Sequence, residues 1–424
     1  MISYRKHVRG SLLLIIANFG NFATTFLRNK LLALAFGPAG IGWIALVNNL
    51  NEVFANIAGT GVCDAYNREL ARANPGFSPT QIVSSGLMVS LTLVLAALPI
   101  AVWQLLSEVS MPEGRVALVA GFAVMVASAT AWRLVSGIYL GLGRARRLFM
   151  PMVIGGIANL VLTLLLLWAG VTQYIVFAVI TPLLLVLIAV VPVWRELRGL
   201  VRGAMIVRAP ALRPILAIAL PGSIASLLEP LTAYVIRAAT ASRYGEAGVG
   251  LIQPGLIFVI LGASVFNSIV GISVVRWDQS VERAFSRRSL ALLGVACVLP
   301  LLAMATNLAL APVWGPIVRL LFTKAFLPGL GTVPWFILGE SFRMGSSLLG
   351  QTMQSRRLGV LYLIPRFVSI LTAIVALKLG MDATMLSIAQ AYTVAFFAMF
   401  VMSIVLWIGL HARLWAREHA ALAT

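Results

Sequence analysis

The chain of 424 residues has two cysteines, three histidines and only 13 acidic residues against 32 basic ones. Each shortage removes a class of chemistry. Cys63 and Cys297 each lie inside an apolar run, so there is no disulfide framework and no metal-ligand spacing. His7, His411 and His419 all fall near the ends of the sequence, away from any Ser-His-Asp set or paired carboxylates. Long polar stretches are scarce as well: no segment between apolar runs is long enough for a soluble catalytic domain. The chain is therefore expected to be no enzyme and to need neither cofactor nor metal.

What is abundant is apolar surface. Hydrophobic residues make up 60% of the chain, charged ones 11%, and the mean hydropathy is +0.98. That exceeds what a water-soluble core of this length can hide, and it assigns the chain to a bilayer. A membrane span needs about 20 apolar residues. Twelve segments reach that length, near 11–35, 41–63, 81–106, 116–142, 150–170, 173–194, 214–238, 249–275, 289–311, 331–354, 358–378 and 384–409. The basic start, Met1 to Gly10, is expected to lead into an uncleaved first helix. The net charge of +19 does not indicate nucleic acid, because the basic residues cluster between spans rather than along one polar face with stacking aromatics. With the start placed in the cytoplasm, twenty-one of the 32 basic residues fall inside, five outside and six within spans. The positive-inside rule then sets both termini in the cytoplasm.

A short pattern occurs twice, 208 residues apart. Phe36-Gly37-Pro38-Ala39-Gly40-Ile41-Gly42 corresponds to Tyr244-Gly245-Glu246-Ala247-Gly248-Val249-Gly250, and each copy is followed by an arginine 26 residues on, Arg68 or Arg276. At an offset of 210, Trp132-Arg133-x-x-Ser136 corresponds to Phe342-Arg343-x-x-Ser346. Arg146-Arg147 and Arg356-Arg357 begin thirteen residues beyond the respective arginines. The expectation is an all-α polytopic protein of about twelve spans in two pseudo-symmetric six-helix bundles. The bundles occupy residues 1–194 and 214–424, joined by a basic, proline-punctuated cytoplasmic linker at 195–213. In membrane transporters a site at the interface of such repeats opens to either side as one rocks against the other.

Ionisable residues within spans cost roughly 2.5–3.5 kcal/mol each at helix centre and so are functional candidates. The basic ones are Arg28, Lys30, Arg133, Arg237, Arg343 and Arg366; the acidic ones are Glu52, Glu229 and Glu340, with Asp64 at an inner helix end. Arg133 and Arg343 lie about 20 Å from their cytoplasmic arginine pairs at 1.5 Å per residue, near mid-bilayer. Arg28 and Arg237 occupy near-equivalent places in the outer half. Guanidinium groups match phosphate oxygens and stay charged, so Arg28, Arg133, Arg237 and Arg343 are the candidate lumen cations for an anionic substrate. Two alternatives stand beside this: ion pairing inside the bundle and snorkelling. Glu340 and Arg343, three apart on one helix face, are the clearest potential pair. Glu52 and Glu229 are candidate proton or ion carriers. Glu52 follows the polar run Asn48-Asn49-Leu50-Asn51, which fits a wet surface or a helix-helix hydrogen-bond cluster equally.

These residues resemble a known family. Asn29 to Gly42 resembles the end of the first helix and the outer turn of the Wzx-type lipid-linked oligosaccharide flippases of the MOP exporter superfamily. That superfamily also holds MATE drug exporters and MurJ-type lipid II flippases. Leu320-Leu321-Phe322-Thr323-Lys324-Ala325-Phe326 and Leu338-Gly339-Glu340-Ser341-Phe342-Arg343 resemble the family's approach to its tenth helix, where Gly-Asp is more usual than Gly-Glu. Ala389-Gln390-Ala391-Tyr392 is similar to the enterobacterial-common-antigen and O-antigen translocases. The resemblance implies two bundles around a cationic lumen in the bacterial inner membrane. It further implies an undecaprenyl-pyrophosphate-linked glycan carried to the outer leaflet by alternating access, with membrane lipids and other polysaccharide-assembly membrane proteins as partners. Competing expectations are a MATE-like ion-coupled multidrug exporter, which would want acidic rather than basic cavity residues, and a membrane-embedded glycosyltransferase or polymerase, which would want a larger outer loop.

Overall fold

A computed structural model describes residues 2–71, 76–108, 114–144, 146–190, 209–278, 285–355, 359–380 and 384–423. The helices are α1 (Ile2–Ala71), α2 (Pro79–Glu108), α3 (Arg115–Gly141), α4 (Arg146–Trp168), α5 (Tyr174–Val190), α6 (Ala209–Asp278) and α7 (Arg287–Leu310). They continue with α8 (Trp314–Leu321), α9 (Val333–Ser355), α10 (Gly359–Leu379) and α11 (Met385–Ala423), with 3-10 turns at Ala311–Val313 and Lys324–Thr332. By length and composition eight of the described helices can cross a membrane, and Tyr174–Val190 is a shorter apolar one. The protein is an all-α, multi-pass membrane protein. Residues 195–208 of the expected linker, Arg356 and Arg357, and the side chain of Arg276 lie outside what is described.

The spans are apolar on the outside as well as within. Leu95 is 62% exposed, Leu301 60% and Leu371 64%, which would be a liability in water and is matched by acyl chains in a bilayer. Inside, two compact units form, Met1–Tyr234 and Val235–Thr424. The first is organised around Tyr66, Val83, Leu134, Ile138 and Ala219, the second around Leu292, Leu348, Phe400 and Trp407.

The two copies of the glycine pattern explain α1 and α6, each 70 residues long. A straight helix of that length would run about 105 Å, more than three times the ~30 Å hydrocarbon core. Each is instead broken into two spans at one residue, Gly37 (φ 61°, ψ −165°) and Gly245 (φ 65°, ψ −172°). That backbone region is open in practice only to glycine. The outer turn expected between the first two spans is thus a single-residue break, with helical geometry resuming at once on either side. The second glycine of the pattern has a different task. A Cβ on Gly40 would fall 2.4 Å from Phe36 Cβ, and one on Gly248 would fall 2.3 Å from Tyr244 Cβ. The aromatic four residues earlier folds over bare backbone. In the first unit that aromatic, Phe36, then meets Tyr174 and Phe177 edge-on, with ring centres 5.0 and 5.3 Å away.

Gly37→Ala and Gly245→Ala should each lower stability by about 1–3 kcal/mol, read as a fall in the unfolding midpoint of the detergent-solubilised protein. Gly20→Ala is the control. It lies in the same helix with open space where its Cβ would go, and it should leave the midpoint level or slightly raised.

Candidate functional site

The intramembrane charges do not share one environment. Arg28 on α1 is buried, 5% exposed, and reaches across to α4 and α5. Its Nε donates to Thr163 Oγ1 at 3.3 Å and its Nη2 to the carbonyl of Phe177. Thr163 in turn donates to the Asn159 carbonyl at 2.7 Å. The residue ties three helices together with neutral acceptors. Arg366 is 4% exposed and its guanidinium lies 3.6 Å over the Tyr362 ring, donating to the Tyr362 hydroxyl and, at 3.3 Å, to the Tyr362 carbonyl. Arg237 is 7% exposed, while Glu229 and Lys30 are half-buried, and all three have interactions of their own.

Arg343 and Glu340 on α9 form an ion pair. Arg343 Nε donates to Glu340 Oε2 at 2.7 Å and its Nη2 to Oε1, the fork-on-fork arrangement of guanidinium and carboxylate. Glu340 receives a further bond from the Tyr392 hydroxyl of α11 at 3.3 Å. The approach of Tyr392 depends on Gly339, where a Cβ would meet the tyrosine ring at 2.6 Å. Phe336 and Phe396 pack edge-on to Tyr392, with centroids 5.0 and 4.7 Å away. Arg343 is thus neutralised within its own unit, by a carboxylate that is itself buried.

The repeat-equivalent residue is held differently. Arg133, on α3, is half-buried; its Nη1 donates to the Ala129 carbonyl of its own helix at 3.2 Å. Among the described residues no carboxylate lies within ion-pair distance of it, and Glu52 acts on it only from farther away. Its stem lies over Gly59 of α1, whose Cβ would stand 2.9 Å from Arg133 Cδ. At the offset of 210 that aligns the two arginines, Glu340 corresponds to Thr130. The carboxylate that neutralises one arginine has no counterpart on the other.

The second span of α1, which meets Arg133 at Gly59, carries a ridge that the sequence reading took only piecemeal. Asn48, Glu52, Asn56, Thr60, Asp64 and Arg68 recur at every fourth residue. Four-residue steps follow a row inclined to the helix axis that turns about 40° per step, so neighbours in the row lie close while its two ends, twenty residues or about 30 Å apart, look to opposite sides of the helix. Counting polar residues at four-residue intervals finds it. Part of the ridge is occupied by α6: Asn56 Nδ2 donates to the Ser226 carbonyl at 3.1 Å, Ser226 Oγ donates to the Asn56 carbonyl at 3.3 Å, and Thr60 Oγ1 donates to Asn56 Oδ1 at 2.8 Å. α1 and α6 come together on bare backbone there. A Cβ on Gly61 would fall 2.1 Å from the Ala219 carbonyl oxygen, and one on Gly222 would fall 3.1 Å from Gly61 Cα. Glu52 remains exposed, and the half-buried Asp64 lies more than three turns, about 18 Å, farther along.

The fold is that of known transporters. No protein-family model matches the sequence, and no curated protein matches it. Among solved structures the chain is similar to a MOP superfamily transporter from Pyrococcus furiosus Vc1 (DSM3638), described as having a binding pocket of reversed polarity that suggests a different function. The TM-score is 0.66 at 18% identity, over 96% of this chain and 95% of that one. It is also similar to a multidrug resistance MATE family transporter in its inward-facing conformation, with TM-score 0.65 and 17% identity over 95% and 94% of the chains. The outward-facing conformation of a transporter described in the same terms gives 0.64 and 19% over 98% and 96%.

Glu340→Gln leaves the Arg343 charge without its partner in an enclosed site and should cost about 3–5 kcal/mol, read as a fall in unfolding midpoint. Removing both charges, Glu340→Met with Arg343→Met, should recover most of that loss.

Proposed function

We propose that this chain is an alternating-access transporter of the bacterial inner membrane, and that it carries an undecaprenyl-pyrophosphate-linked oligosaccharide from the inner to the outer leaflet. The observation that carries the anionic substrate is Arg133: a permanent cation eight residues, about 12 Å, inside the end of α3 at Gly141, with its charge unmatched by any close carboxylate among the described residues. Such a charge in hydrocarbon is stable only against water or an anion. The alternating-access part is supported by the likeness to structures described as inward-facing and outward-facing. A pocket of reversed polarity in a relative of the same fold is in keeping with an anion where drug exporters take cations.

On this reading the four arginines divide by role. Arg133 meets substrate, Arg28 and Arg343 hold helices together, and Arg237 keeps its place as a lumen candidate. The carrier works with cytoplasmic termini beside the enzymes that build and consume the glycan. Glu52, exposed on the ridge, is the candidate carrier of the coupling ion, and Glu229 the second.

One observation favours a second reading. Glu52, exposed on the ridge, acts on Arg133 from a distance, and an acid by that site suits a MATE-like exporter of organic cations.

The deciding experiment is complementation of a deletion strain that accumulates lipid-linked glycan on the inner leaflet. Arg133→Ala should abolish glycan export at a normal protein level, with partial recovery in Arg133→Lys. Arg28→Ala and Arg343→Ala should instead reduce the amount of folded protein. Full glycan export by Arg133→Ala, or ethidium efflux by the wild type with no change in glycan, would reject the flippase reading.

A further inference from the structure

Resting on the anionic-substrate reading, we infer that Thr130, Arg133 and Ser136 form a subsite for a phosphate-class oxyanion, and that this subsite belongs to one repeat alone because the second repeat fills the same face with its own side chains.

The two faces match residue for residue. On α9, Glu340, Arg343 and Ser346 follow one another at intervals of three, and all are engaged. Glu340 holds Arg343 and receives Tyr392, and Ser346 Oγ pairs with Ser403 Oγ of α11 at 2.6 Å. On α3 the same positions carry Thr130, Arg133 and Ser136. Thr130 is 4% exposed, and neither its hydroxyl nor the buried Ser136 hydroxyl has a hydrogen-bond partner among the described residues. Arg133 spends one donor on its own helix.

Unpartnered buried hydroxyls are rare in native proteins and call for an explanation. Inside a helix the ordinary refuge of a serine or threonine is the carbonyl one turn back. That refuge is taken elsewhere in this chain by Thr163 to Asn159 at 2.7 Å, Thr232 to Leu228 at 3.0 Å and Ser403 to Met399 at 2.9 Å. Thr130 and Ser136 do not take it, nor do Ser85 and Ser223, but only the first two stand on either side of an arginine on one helix. Among the described residues, two hydroxyls without partners flank a guanidinium that spends one of its five N–H donors, along six residues or about 9 Å of helix. A row of donors around one positive charge fits an oxyanion with several oxygens, and its length suits two linked phosphoryl groups. Glu52 of α1 is the carboxylate that acts on Arg133 from a distance, so an incoming anion has no tight ion pair to displace.

The replacement of Glu340 by Thr130 between repeats is therefore the specificity determinant. A carboxylate at that position neutralises the arginine; a hydroxyl leaves it able to bind.

The test uses purified full-length protein in detergent and inorganic pyrophosphate, followed by titration calorimetry. The wild type should bind one pyrophosphate per chain. Arg133→Gln should weaken binding about a hundredfold. Thr130→Val and Ser136→Ala should each weaken it about tenfold, while Thr130→Ser, which keeps the hydroxyl, should bind as the wild type does. Thr130→Glu should abolish binding by giving α3 the pairing found on α9. Glu340→Gln with Arg343→Gln should leave it unchanged. The subsite is overturned if the wild type takes up no pyrophosphate, if the α9 change weakens binding as much as Arg133→Gln, or if glucuronate binds in place of pyrophosphate. Glycan export by a wild type that binds no pyrophosphate would overturn the subsite while leaving the transport reading intact. Pyrophosphate binding with no glycan export would support the subsite and overturn the transport reading.

Discussion

The positive charge of a guanidinium in hydrocarbon has to be answered, and the way each one is answered organises this protein. Arginine stays charged at any working pH and cannot shed its proton to ease burial. Four answers are visible. Arg28 is met by a carbonyl and a hydroxyl from two other helices, Arg366 by an aromatic face and a phenol oxygen, and Arg343 by a carboxylate braced by Tyr392. Arg133 has one carbonyl of its own helix. The first three are cross-links. The last has donors to spare, and its neighbours on the helix face do too.

The duplicated plan makes that difference legible. Gly37 and Gly245 adopt nearly the same backbone angles, and Gly40 and Gly248 make room for an aromatic at the same offset. Backbone requirements of this kind are strict, because only glycine meets them, so both copies keep them. Charge is under no such constraint. One repeat carries a carboxylate three residues before its mid-membrane arginine and the other a threonine, with no change in the helix that holds them. A single substitution at a tolerant helical position thus separates a structural arginine from an available one.

Much of the fold could be read from the residues. Apolar runs of about 20 residues showed an all-α, multi-pass membrane protein, since a bilayer imposes length and polarity on each helix by itself; eight of the described helices are long and apolar enough to cross, against the twelve spans expected. The repeat glycines marked both breaks, though the chain's immediate return to helix after Gly37 was not expected. The pairing of Glu340 with Arg343 followed from their spacing alone. The fates of Arg28 and Arg366 did not, because their acceptors are a carbonyl and a tyrosine whose approach depends on tertiary packing. The ridge on α1 was present in the sequence but spread over twenty residues, and a reading that weighed acids singly passed over it. The vacancy of the Thr130 and Ser136 hydroxyls is invisible at that level, since an unused hydrogen bond leaves no trace in composition.

The contact between Gly61 and Gly222 has a mechanical side. Side chains that interlock act as teeth, and displacing one helix along another means resetting rotamers tooth by tooth. Where Gly61 lies against the Ala219 carbonyl and Gly222 against Gly61, the glycines put no tooth of their own between the backbones of α1 and α6. Among the described residues the reciprocal bonds of Asn56 and Ser226, at 3.1 and 3.3 Å, pin them lengthwise. At that point sliding resets fewer rotamers, and the amide-hydroxyl catch is what it must release.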